Sequence, residues 1–234
     1  MELIALSENS VLILFEQQIS QTVFHQVTQC AAIIDSELSH YLVDMVPAYA
    51  SIHMVFNTTR ISHSDFQNKL KKIVQQAELQ QVTSKEQTVI EMPVYYGEEV
   101  ALDIQLIADN AKLTVDDVIR IHSQTAYDIY AIGFSPGFAY MGNVDQRIAM
   151  ARKQTPRKKI AAGSVGIADQ QTAIYPAELP GGWQILGRTP LSVIDYSSSR
   201  LTRLEVGNKV RFIPINREDF MAMGGQLPET SVCL

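Results

Sequence analysis

Apolar and polar positions divide this chain into two stretches with different rhythms. In the first, residues 11–15 form a short apolar run that predicts a buried strand. From Ser20 onward Val23, Phe24, Val27, Ala31 and Ile34 recur at helical spacing. Extended runs follow at 42–46 and 51–56, and then a helix with the face Phe66, Leu70, Ile73, Val74 and Ala77, capped by Ser62 or Ser64. Strand, helix, two strands and helix make a small α+β sandwich. The polar stretch 80–87 reads as a linker, which gives an N-terminal α+β domain over residues 1–84 and a second domain over 85–234.

The second stretch opens with a strand at 88–95, a break at Gly97 and a helix over 99–110. Another helix starts at Thr114, where Thr114 and Asp117 have capping-box spacing, and it buries Val118, Ile119 and one side of His122. Beyond Gln124 the rhythm becomes short β runs at 127–134, 159–167, 172–175, 183–186, 191–196 and 209–213. Many short strands with Gly and Pro between them predict a closed or nearly closed β-barrel, so the fold class is α+β.

Most of the twelve glycines and the only tryptophan fall in two apolar-aromatic blocks inside that barrel. One runs from Tyr130 through Gly133, Phe134, Ser135, Pro136, Gly137 and Phe138 to Gly142. The other contains Gly163, Ser164 and Gly166, then Gln171 and Tyr175, then Gly181, Gly182, Trp183, Gly187 and Arg188. Glycine within strand-forming sequence marks a bulge, a corner or a close approach of backbone to a ligand.

Residues 133–137 fit the spacing of a nucleophile elbow, but the residue after Ser135 is Pro136, which has no N–H to offer an oxyanion. A structured binding loop carrying Gly137 and Phe138 is the stronger reading. No Walker A phosphate loop is present in the sequence. Gly163 and Ser164 either present N–H groups to an anion or form a barrel corner, and the corner is favoured. Five of the nineteen basic residues fall within 152–159 with no acid among them, which places Arg157 among the anion-binding candidates. Arg188 suits bidentate capture of a carboxylate, or ties two loops together. Gln171 and Tyr175 share a strand face and would supply hydrogen bonds to a pocket. Gly182 and Trp183 would floor that pocket or fill the core. His122 is the one plausible proton-transfer histidine, although a helix-end histidine with satisfied partners is the commoner case.

A net charge of −6 and the lack of a basic stripe argue against nucleic acid as a partner. No apolar run approaches the roughly 18 residues a membrane span needs. Cys30 and Cys233 cannot build a disulfide framework, and both read as reduced thiols of a cytoplasmic protein. The five histidines have no metal-ligand spacing, so no metal site is expected.

The segment 118–123, the block 133–138, the stretch from Thr155 through Arg157, Gly163 and Ser164 to Gln171 and Tyr175, and the run 180–190 together resemble a known family. It is the family of the 5-oxoprolinase B subunit, long labelled allophanate hydrolase subunit 1 and including the sporulation-kinase inhibitor KipI. The resemblance implies a cyclophilin-like barrel after the N-terminal domain. It implies one component of an ATP-dependent 5-oxoprolinase that opens 5-oxoproline to L-glutamate with subunits C and A, ATP and its Mg²⁺ being shared with a partner. On that resemblance His122, Gln171 and Tyr175 would orient the ring, Arg157 or Arg188 would hold a carboxylate or phosphate, and Gly163 and Ser164 would receive an anion. Inhibition of a sensor histidine kinase is the alternative the same family permits. Residues 168–170 and Ala173 depart from the family's glycine-containing pattern, which bears on the backbone beside Gln171.

Overall fold

The computed structural model describes residues 1–15, 20–79, 87–197 and 201–228. The expected linker, apart from Gln87, and Cys233 lie outside them. The chain divides into two compact units, Met1–Gln87 and Thr88–Leu234, each with its own apolar core.

In the first unit the elements are β1 (Glu2–Ser7), β2 (Ser10–Leu14), α1 (Gln21–Leu38), β3 (Leu42–Ala48), β4 (Ser51–Phe56) and α2 (His63–Leu79). The sheet order is β1-β2-β4-β3, antiparallel throughout. Alternation along β2 and β4 sends Val11, Ile13, Ile52, Met54 and Phe56 to one face, where they pack with Val27 and Ile34 of α1 and Phe66 and Leu70 of α2. Ser20 caps α1 by accepting from Val23 N–H (3.2 Å), and Ser62 accepts from Asp65 N–H (3.2 Å) at the start of α2. β1 was not expected. It forms a hairpin with β2 around Glu8 and Asn9, and only two of its six residues are half-buried, so its hydrophobic signal is weak.

The second unit contains β5 (Val89–Tyr95), α3 (Ile104–Ala111), α4 (Val115–Gln124), β6 (Ala126–Ile132), β7 (Ala139–Gly142), β8 (Arg157–Ile160), β9 (Ser164–Ala168), β10 (Gln171–Ile174), β11 (Leu179–Gly181), β12 (Gln184–Arg188), β13 (Lys209–Ile215) and α5 (Arg217–Ala222). Seven strands close a barrel in the order β10-β7-β6-β13-β5-β12-β9, and β8 and β11 make a separate two-stranded sheet. Among the described residues only the β13–β5 pair is parallel.

Three expected elements differ. The helix expected over 99–110 begins at Ile104, because Asp103 N–H is donated to the Ile185 carbonyl (2.9 Å) and pins the chain to β12 first. The single strand expected at 159–167 is two strands. β8 pairs with β11, and Gly163, at φ +78°, turns the chain into β9. A side chain at Gly163 would also place Cβ 2.5 Å from the Thr189 carbonyl oxygen. The strand expected at 191–196 is absent: the Ser192 hydroxyl donates to Ile194 C=O (2.6 Å) and accepts from its N–H (3.3 Å), leaving one isolated bridge from Ile194 to Thr202.

Candidate functional site

Residues 135–138 form a turn closed by Phe138 N–H to Ser135 C=O (3.0 Å), with Pro136 and then Gly137 (φ +77°) at its centre. Pro before a positive-φ Gly is the type II pattern, and no helix follows Ser135, so the nucleophile-elbow geometry is absent. Gly137 serves the turn and packs under Ile194, while Phe138 is thrown into an aromatic cluster. Phe138 meets Tyr175 and Trp183 edge-on at centroid distances of 5.3 and 5.6 Å, with Tyr140 at 4.9 Å and the exposed Phe134 at 5.3 Å.

That cluster walls a cavity of about 330 Å³. Its lining brings together Phe138, Gln171, Tyr175, Gly182 and Trp183 of the expected residues and adds Arg152 and Asp169. Period-two alternation explains the choice along the β10 edge: Gln171 and Tyr175 reach the cavity, while Thr172 and Ile174 point into the barrel. Burial pushes the Tyr175 pKa up to about 12, against a smaller downward pull from the Trp183 backbone N–H, so the hydroxyl remains a protonated hydrogen-bond donor. Asp169, at φ +51°, takes the left-handed position in the β9–β10 turn that glycine would adopt more easily. Asp169 thus holds a turn conformation that the departure from the family's glycine pattern had left open.

The remaining expected residues lie elsewhere. His122 is fully buried in the barrel, stacked on Phe212 (centroids 4.6 Å, 16°), and does not line the cavity. Thr172 donates its hydroxyl proton to Gly166 C=O (3.2 Å) and so accepts from His122 Nε2–H (3.0 Å). Nδ1 must then accept from the Tyr96 hydroxyl (2.9 Å). Burial pulls the His122 pKa down to about 3, which makes it a neutral buttress of Thr172 rather than a proton carrier. Gly163 N–H is donated to Tyr175 C=O (2.8 Å) and Ser164 N–H to Ala161 C=O (3.2 Å). With both donors spent, the expected anion site there is a barrel corner.

Arg157 donates from Nη1 and Nη2 to the two carboxylate oxygens of Asp103 (2.8 and 2.8 Å). Arg188 is half-buried beside Gly163 and donates Nη1 to Gln226 C=O (2.8 Å), and it too is off the cavity wall. Cys30 is a buried free thiol whose pKa burial pushes up to about 12, which removes it as a nucleophile. Among the described residues no cluster of three or more His, Cys, Asp or Glu could hold a metal, and no helix is long and apolar enough to cross a membrane.

The sequence reading missed Asp103, Arg152 and Asp169. The helix expected over 99–110 contains Asp103, and a carboxylate at a helix start usually caps; this one makes no capping bond. Arg152 was visible only as one member of the basic run.

Comparison with known proteins gives these residues a context. Residues 1–204 match the carboxyltransferase domain, subdomain C and D. The chain is 33% identical over 225 residues to the 5-oxoprolinase B subunit of Bacillus subtilis (strain 168), covering 93% of this chain and 94% of that one. It is 34% identical over 173 residues to the 5-oxoprolinase B subunit of Escherichia coli O157:H7, covering 74% and 78%. Among solved structures, TTHA0988 is similar over 94% of this chain, with a TM-score of 0.77 and 27% identity; this chain spans 41% of its length. In sequence along nearly its whole length and in fold, the chain belongs to the family of the 5-oxoprolinase B subunit.

Proposed function

We propose that this chain is the B subunit of an ATP-dependent 5-oxoprolinase and that its aromatic cavity holds the ring of 5-oxoproline while subunits C and A complete the site. The observation that carries this reading is the convergence of Phe138, Gln171, Tyr175, Gly182 and Trp183 on one small cavity. It occurs in a chain one-third identical, over 93% of its length, to a 5-oxoprolinase B subunit.

Size decides what enters. At about 330 Å³ the cavity lies at the lower end of the roughly 300–1,000 Å³ range of small-ligand pockets. That suits a five-membered lactam acid. The spent N–H groups of Gly163 and Ser164 leave no phosphate cradle at that corner. On this reading ATP and Mg²⁺ are shared with a partner chain, and ATP supplies the driving force for opening an unreactive lactam. This chain's contribution is positioning. Phe138 and Trp183 exclude water from the ring faces, the Gln171 carboxamide meets the lactam amide, and the Tyr175 hydroxyl donates to an oxygen.

The test is reconstitution with the two partner subunits, measuring glutamate and ADP formed from 5-oxoproline. Leaving this chain out abolishes turnover on this reading. Full turnover in its absence would remove the chain from the reaction and favour the kinase-inhibitor alternative.

A further inference from the structure

Four of the five cations in the basic run that opens the second glycine block are sorted by the fold into three kinds, and Lys158 is simply exposed. Lys159 pairs with Glu178 in solvent (2.9 Å). Lys153 and Arg157 converge on Asp103, whose carboxylate is almost fully buried: Lys153 Nζ lies at 2.7 Å, both Arg157 nitrogens at 2.8 Å, and Ile185 N–H donates at 2.7 Å. Arg152 is different, because it lines the cavity and has no carboxylate partner among the described residues.

The segment carrying Arg152 is strapped to the barrel on both sides. Met150 C=O accepts from Asp169 N–H (2.8 Å), and Ala151 C=O accepts from Gln184 Nε2 (2.8 Å). Lys153 N–H donates to Gly182 C=O (2.7 Å), and the Lys153 and Arg157 side chains then anchor to Asp103. Gln184 and Gly182 flank Trp183, so the strap is fixed to the same turn that builds the cavity wall. Asp169 is the acid on that wall and forms no ion pair with Arg152.

We propose that Arg152 receives the carboxylate of a small cyclic acid bound in the cavity, and that Asp103, through Lys153 and Arg157, is the positioning residue that keeps Arg152 there. This deepens the 5-oxoprolinase reading and rests on it for the identity of the acid. A guanidinium forks onto a carboxylate in a way an ammonium does not, which gives the site a preference for acids over neutral lactams. Asp103 touches no ligand and acts through the strap.

Trp183 is the only tryptophan and lines the cavity, so its fluorescence reports occupancy of the full-length chain. The probes are 5-oxoproline and the uncharged 2-pyrrolidinone. The wild-type chain binds 5-oxoproline saturably and at least roughly tenfold more tightly than pyrrolidinone, the size of one charge-assisted contact. Arg152→Ala brings 5-oxoproline down to the pyrrolidinone level, and Arg152→Lys recovers part of the difference. Asp103→Asn weakens 5-oxoproline while leaving pyrrolidinone unchanged, and combined with Arg152→Ala it adds nothing further. Should Asp103→Asn fail to fold, Arg157→Lys, which keeps the charge and breaks the fork, takes its place with the same expectation. The proposal is overturned by no saturable response to 5-oxoproline, by equal binding of both probes, by an unchanged Arg152→Ala, or by an Asp103 variant that weakens both probes alike. Titrations as expected, alongside a reconstituted complex that turns over without this chain, would sink the oxoprolinase reading and leave the carboxylate site standing.

Discussion

Gly163 shows how much one residue fixes here. Its φ of +78° disfavours a side chain, the Thr189 carbonyl oxygen 2.5 Å from where a Cβ would sit leaves no room for one, and the same corner orients Tyr175 through paired backbone bonds. Gly163→Ala should cost at least about 1–2 kcal/mol of stability, read from urea unfolding. Ser135 makes the opposite case: its sequence setting suggests a nucleophile, and its structural setting is the first position of a turn. Ser135→Ala should leave turnover of the reconstituted complex unchanged, and a loss on the scale of a removed nucleophile would restore the elbow reading. Gln171 and Tyr175 were legible because strand alternation is a local rule. His122 was legible as a helix residue but not in its role, since its neutrality comes from burial in the closed barrel and its tautomer is set by Tyr96 and Thr172, 26 and 50 residues away.

At the scale of elements, local signals carried furthest where capping fixed the ends. Thr114 accepts from Asp117 N–H (3.1 Å) and the Asp117 carboxylate reaches back to Thr114 N–H (3.4 Å), as the spacing indicated. Thr114→Ala should cost about 1 kcal/mol, measured by thermal or urea unfolding. Signals failed where a distant partner decided. The start of α3 is set by β12 through Ile185, and the split between β8 and β9 by β11 pairing with β8. The strap over 150–157 belongs to the same class. Its composition reads as a solvated basic loop, whereas its conformation is set by Asp103, Gln184 and Gly182, none of them adjacent to it in sequence.

For the molecule as a whole, the buried neutral histidine makes stability depend on pH. The His122 pKa is lowered to about 3 in the folded chain, against about 6.5 when unfolded. Above pH 6.5 both states are neutral there and stability is complete. As pH falls below 6.5 the unfolded chain takes up a proton that the folded chain refuses, so stability drops by about 1.4 kcal/mol per pH unit, or about 2 kcal/mol by pH 5. Asp103, whose pKa is also lowered overall despite the upward pull of burial, because Arg157, Lys153 and Ile185 N–H stabilise its charge, loses its contribution only below about pH 4. Urea unfolding at pH 7, 6 and 5 should show the decline in wild type and a flatter profile in His122→Gln. Equal slopes would place the titrating group elsewhere.

The proposed function is a division of labour, in which the barrel would supply an aromatic cavity and other chains the nucleotide. The most direct measurement is the structure of the assembled complex with 5-oxoproline bound. The ring should lie between Phe138, Tyr175 and Trp183 with its carboxylate toward Arg152. A ring bound at the Arg188 and Gly163 corner, with this cavity empty, would contradict the account.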